Sequence, residues 1–115
     1  MPFLPIFILL LSFKAMSQGT YPTTGSIERL DPKMNSLIAP NAVIEVLSNG
    51  FIWTEGPLYI EDGDYWLFSD IPQNSIFKWN EKEGVRLYLK PSGYTGTVPR
   101  VGEPGSNALI LDPKG

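Results

Sequence analysis

The side chains able to do chemistry in this sequence are carboxylates and amides. Histidine and cysteine are both absent, which excludes a Ser-His-Asp triad, a His-rich metal site, a zinc-thiolate site and a thiol nucleophile within these residues. Hydrolytic chemistry here would rest on carboxylates, amides or a metal ion held by oxygen donors. Such groups stand beside rigid or turn-forming backbone at Glu55 before Gly56-Pro57, at Asp70 before Ile71-Pro72, in the cluster Glu61, Asp62 and Asp64, and at Asn107 after Gly105-Ser106.

On the residues alone, each has a structural explanation. Glu55 fits a solvated turn residue and Asn107 a turn cap. Asp70, at the end of an apolar run, is suited to accept hydrogen bonds from the amides of the turn that follows. The acidic cluster lacks the twelve-residue ligand order and terminal bidentate glutamate of a calcium loop, so a solvated hairpin tip is its expected identity.

The elements that would hold these groups are short. Apolar runs at Ala42 to Leu47, Leu58 to Ile60, Tyr65 to Phe68, Ser75 to Trp79, Val85 to Leu89 and Ala108 to Leu111 recur at intervals of about ten residues, with strand length and strand chemistry. Between them, Ser48-Asn49-Gly50, Glu61-Asp62-Gly63-Asp64, Pro72-Gln73-Asn74 and Glu81-Lys82-Glu83-Gly84 carry the residues that hairpin turns require. In Val85 to Leu89 the alternation is clean, with Val85, Leu87 and Leu89 on one side and Arg86 and Tyr88 on the other. The meander from Leu58 to Leu89 has the size of one β-propeller blade, a unit of roughly 40 residues. By pattern alone, a small β-sandwich or hairpin stack stays equally open. Trp53, Trp66 and Trp79 are expected in the core between blades, with Trp53 near enough to Glu55 to wall a pocket.

Composition narrows the class. With 43% hydrophobic and 12% aromatic residues, some packed core is expected. The net charge is -3 and the Lys and Arg residues are scattered singly, which leaves no electrostatic footprint for nucleic acid. At the amino terminus, the apolar run Phe3 to Phe13 precedes Lys14 and the small-residue pattern Ala15-Met16-Ser17. Residues 1–17 therefore read as a signal peptide, and the chain as exported to a periplasmic or extracellular location. Being about half the length of a bilayer-spanning helix and interrupted by Pro5, the run predicts no stable membrane span. Residues 18–41 read as a polar arm, with a helical hint at Ser26 to Leu30, and residues 42–115 as the β domain.

Three blocks carry a resemblance: Phe51-Ile52-Trp53-Thr54-Glu55-Gly56-Pro57-Leu58-Tyr59, then Leu67-Phe68-Ser69-Asp70-Ile71-Pro72-Gln73-Asn74-Ser75-Ile76, then Glu103-Pro104-Gly105-Ser106-Asn107-Ala108-Leu109-Ile110-Leu111-Asp112-Pro113-Lys114-Gly115. In this order they resemble the SMP-30/gluconolactonase family, and the likeness runs from about Gly25 to the last residue. The resemblance implies an all-β chain forming part of an incomplete six-bladed β-propeller, its first blade and the start of the second. It also implies a metal-dependent lactonase that opens sugar-acid lactones, small molecules like gluconolactone, to hydroxy acids. Its cofactor would be one divalent cation, most often Ca2+, with Zn2+ or Mg2+ as alternatives.

Carried over by position, Glu55 matches a metal-ligating glutamate and Asn107 an asparagine that lines the substrate pocket. The remaining ligands and the proposed general base belong to later blades of the family, so no catalytic residue is assigned and the fragment alone is expected to be inactive. Where some members place a substrate-contacting basic residue, two positions before that asparagine, this chain has Gly105. That departure loosens the sugar-acid expectation, although Arg100 or Glu103 could serve from the loop Gly93 to Ser106. A non-catalytic propeller that only binds is the rival reading.

Overall fold

The computed structural model describes residues 21–114. The expected signal peptide and the first residues of the arm lie outside the described residues. The chain divides into two units, Met1–Glu45 and Val46–Gly115.

In the first unit, Thr23 and Glu45 form an isolated antiparallel bridge, and the Thr24 amide donates to the Ile44 carbonyl at 2.9 Å. A 3-10 helix spans Pro32–Ser36, with the Asp31 side chain capping the Lys33 amide. The helical hint at Ser26 to Leu30 is thus displaced toward the carboxyl terminus. Asp31 supplies the cap and Pro32 the preset φ of a first helical residue. The Arg29 guanidinium ties down the far side of the helix, donating to the carbonyls of Ile38 (3.0 Å) and Ala39 (2.6 Å) and to Asn35 Oδ1 (3.0 Å). The strand expected from Ala42 to Leu47 reduces to the single bridge at Glu45.

The second unit is a four-stranded antiparallel sheet in the order β1-β2-β3-β4, formed by Thr54–Ile60, Tyr65–Asp70, Ser75–Asn80 and Gly84–Leu89. Every connection joins neighbouring strands, as the spacing of runs and turns predicts. Asp64, Asn74 and Gly84 take positive φ at these turns, and aspartate, asparagine and glycine are the residues that tolerate it best. No strand forms over Ala108 to Leu111, where the chain runs as irregular backbone.

Two bulges adjust the sheet. In β1 the register shifts between Glu55 and Leu58, so that Gly56-Pro57 provides the extra residue. Gly56 has a φ of 61°, and proline, with no N–H to give the ladder, is tolerated at such an irregularity. In β4, Leu87 and Leu89 face the adjacent residues Phe77 and Ile76, leaving Tyr88 as the extra residue and breaking the clean alternation expected for that strand. All three of these β4 side chains are exposed, as suits an edge strand.

The sheet has a covering segment on each face. On one, Phe51 packs edge-on against Phe68 and Phe77, with ring centroids 5.0 and 5.1 Å away. On the other, Leu67, Ser69 and Ile76 are buried, and the chain beyond β4 crosses at Ser69. One sheet with these two segments cannot cover its aromatic residues. Trp53 and Trp66 are 46% and 42% exposed; the core position expected for them lies between blades, and this single sheet does not provide it.

The β1–β2 tip is the exposed acidic hairpin expected from its residues, closed by a short 3-10 turn at Glu61–Gly63. Tyr59 donates its hydroxyl to Asp64 Oδ1 at 2.8 Å. That hydrogen bond, with smaller contributions from burial and from the charges of Asp64 and Glu61, raises the Tyr59 pKa above its ordinary 10.0. The folded chain thus favours the neutral phenol. Whatever stability this contributes is intact below the unfolded value and lost as pH rises through the folded one. Asp64→Asn, which keeps the tolerance for positive φ but removes the charge, is expected to lower the Tyr59 midpoint in phenolate absorbance, isolated by subtraction of a Tyr59→Phe spectrum. An unchanged midpoint would rule out this pairing in solution.

Candidate functional site

Glu55 stands half-buried on β1, opposite Ser69 of β2 and next to the Gly56-Pro57 bulge. Ser69 is fully buried and links this point to the far end of the chain. Its hydroxyl donates to the Asn107 carbonyl at 2.8 Å. With that hydrogen used, the Ser106 hydroxyl, also 2.8 Å away, acts as donor to Ser69 Oγ.

Gly56 completes the juxtaposition. A Cβ there would lie 2.8 Å from the Ala108 Cα, 2.9 Å from the Asn107 carbonyl oxygen and 2.9 Å from the Leu109 amide nitrogen. Only glycine permits both this approach and the positive φ. The backbone at Asn107 therefore lies against the bulge that follows Glu55, and Asn107 itself is exposed. The structure brings these two sequence-predicted residues to one end of the sheet.

Asp70 does not join them, although it follows Ser69 directly. Its fully buried carboxylate accepts from the Ile52 amide (3.0 Å), the Trp53 amide (3.3 Å) and Gln73 Nε2 (2.6 Å). Its role is structural, as the residues alone suggest, but its partners are mainly the amides leading into β1 rather than those of the following turn. For Glu55, by contrast, no side-chain hydrogen bond occurs among the described residues. The cluster Glu61, Asp62 and Asp64 sits at the opposite end of β1 from Glu55. Among the described residues, no three or more histidine, cysteine, aspartate or glutamate side chains are grouped so as to hold a metal ion.

The loop that carries Asn107 is held by residues that the sequence pattern does not single out. Gly105 donates its amide to the Ile71 carbonyl at 3.0 Å, and a Cβ there would come within 2.6 Å of the same oxygen and 3.0 Å of the Asn74 Cα. This is a packing reason for glycine at the position where some family members are basic. Arg100 lies over the Tyr94 ring, 5.7 Å from its centroid, and Glu103 is exposed. Asn74, Ser69, Ser92 and Ser106 form the hydrogen-bond framework beneath. Asn74 was legible only as a turn residue, and isolated serines carry no spacing that would mark them.

No family model matches the chain, and no solved structure matches it. A curated protein named Gluconolactonase, from Zymomonas mobilis subsp. mobilis, is 37% identical over 95 residues, which is 81% of this chain and 27% of that protein. The chain thus spans about a quarter of the length of the relative it matches. This match, partial in length, supports a gluconolactonase-like family for the chain.

Proposed function

We propose that this chain supplies part of the active site of a lactonase that hydrolyses a small sugar-acid lactone. The observation that carries the reading is the meeting of Glu55 and the Asn107 backbone through Ser69 at one end of the sheet, in a chain similar to a gluconolactonase. The four-stranded meander supports placing it as one blade of a propeller, whose faces are buried by neighbouring blades. A signal peptide at residues 1–17, and with it export, belongs to the same reading.

The donor set fits a divalent cation in part. Glu55 offers a half-buried carboxylate on rigid strand backbone beside a proline, as a hard cation requires. A calcium ion takes six to eight oxygens, so its other donors would come from outside the described residues. When bound, the ion would supply polarisation of the lactone carbonyl and acidification of a water. The chain's own part is simpler. Glu55 holds negative charge at the site, and the Asn107 amide, with one donor group and one acceptor, is suited to orient the hydroxyls of a sugar ring. Water then adds to the carbonyl carbon, the bond from that carbon to the ring oxygen breaks, and a hydroxy acid leaves.

The test is hydrolysis of glucono-δ-lactone by the protein that carries this chain, before and after treatment with a chelator. Loss of activity on chelation and its return with Ca2+ is expected. Activity untouched by the chelator would remove the metal from the reading, and absence of hydrolysis on any aldonolactone would leave the non-catalytic propeller in its place.

A further inference from the structure

The turn between β2 and β3 does more than reverse the chain. After β4 the backbone makes an excursion whose two legs, residues 92–94 and 104–106, run together: the Tyr94 amide donates to the Pro104 carbonyl at 2.6 Å, and the Ser106 amide donates to Ser92 Oγ at 3.0 Å. The turn holds both legs. Asn74 Oδ1 accepts from the amides of Ser92 (3.0 Å) and Gly93 (2.8 Å), while Asn74 Nδ2 donates to the Tyr94 carbonyl at 2.7 Å. The Ser92 amide is shared with the Asn74 carbonyl at 3.0 Å. On the other leg, the Ile71 carbonyl accepts from both Asn74 and Gly105, each at 3.0 Å.

Asn74 can do this because of its backbone. A φ of 52° is a conformation that asparagine tolerates better than other residues with a side chain, and here the side chain bonds to the first leg while the backbone packs against the second. Two residues beyond Gly105 is Asn107, fixed by Ser69 against the bulge at Gly56. We propose that Asn74 is a positioning residue for the active site: by clamping the first leg of the 92–106 loop, to which the second leg is bonded through Ser92 and Pro104, it holds Asn107 in place beside Glu55. This rests on the lactonase reading for its catalytic consequence but not for its structural one.

The experiment uses the protein that carries this chain and compares three variants. Asn74→Gly keeps the positive φ and deletes the clamp; Asn74→Asp keeps the φ and the acceptor oxygen; Ser92→Ala keeps Asn74 and its bonds to the first-leg backbone but removes the hydroxyl that ties the Ser106 amide to the first leg. Amide hydrogen exchange at 92–94 and 104–107 and steady-state kinetics on glucono-δ-lactone are measured for each. In Asn74→Gly, exchange in both legs should accelerate and kcat/KM fall about tenfold or more, since small misplacements of a binding group carry large kinetic costs. Asn74→Asp should recover most of that loss, and Ser92→Ala should move in the direction of Asn74→Gly. Wild-type turnover in both Asn74→Gly and Ser92→Ala would overturn the proposal; should Asn74→Gly not fold, Ser92→Ala decides by the same criterion. A wild-type protein without lactonase activity would instead remove the proposed function, and loop exchange alone would decide the clamp: faster in Asn74→Gly supports it, unchanged refutes it.

Discussion

Glu55→Gln, made in the protein that carries this chain, is expected to lower turnover of glucono-δ-lactone by about a hundredfold or more, with little change in stability. The effect follows from what the substitution removes. Glutamine keeps the shape and leaves one carbonyl oxygen, but it loses the negative charge that a hard cation requires of its ligands. Metal assistance to a hydrolytic step is worth several kcal/mol, and each 1.36 kcal/mol is tenfold in rate. Folding should tolerate the change because the carboxylate makes no side-chain hydrogen bond among the described residues. Calorimetric titration with Ca2+ is the accompanying measurement, with weaker affinity expected in the variant. Unchanged affinity together with unchanged turnover would defeat the assignment of Glu55.

Much of this arrangement was legible in the sequence, and the part that was not has a physical explanation. The β2, β3 and β4 runs announced themselves through apolar residues set between turn formers, because hairpin geometry is local and demands particular residues at Asp64, Asn74 and Gly84. The Ala42 to Leu47 and Ala108 to Leu111 runs have the same composition, yet neither becomes a strand: pairing needs a partner, and the residues themselves do not say where one is. Glu55 and Asn107 were visible as candidates only through resemblance, since a glutamate before Gly-Pro is ordinary by itself. Their meeting could not be read at all. It depends on Ser69, whose hydroxyl bridges segments far apart in the chain, and on the absent Cβ of Gly56. Likewise, the bulge at Tyr88 breaks a β4 pattern that looked regular.

The largest stability effect is expected at Asp70, one residue from Ser69 but serving a different purpose. Its carboxylate is fully buried and receives the amides of Ile52 and Trp53, so it anchors the segment that enters β1; the Trp53 carbonyl in turn accepts from the Ile71 amide at 3.1 Å. Asp70→Ala would leave these amides without their acceptor, and a buried polar group so orphaned costs about 1–3 kcal/mol. With two amides and the Gln73 side chain affected, a loss of about 4 kcal/mol is expected. It should be read as a lower urea midpoint at unchanged slope. Asp70→Asn should fall between, because one oxygen still accepts while the new NH2 group faces an amide donor. The pair of variants also separates anchoring from catalysis. If Asp70 acts only by holding β1 at its bulge, turnover should decline in step with the folded fraction in both variants. Near-native stability in Asp70→Asn with turnover abolished would make this carboxylate a second chemical group of the site and would overturn its assignment as an anchor.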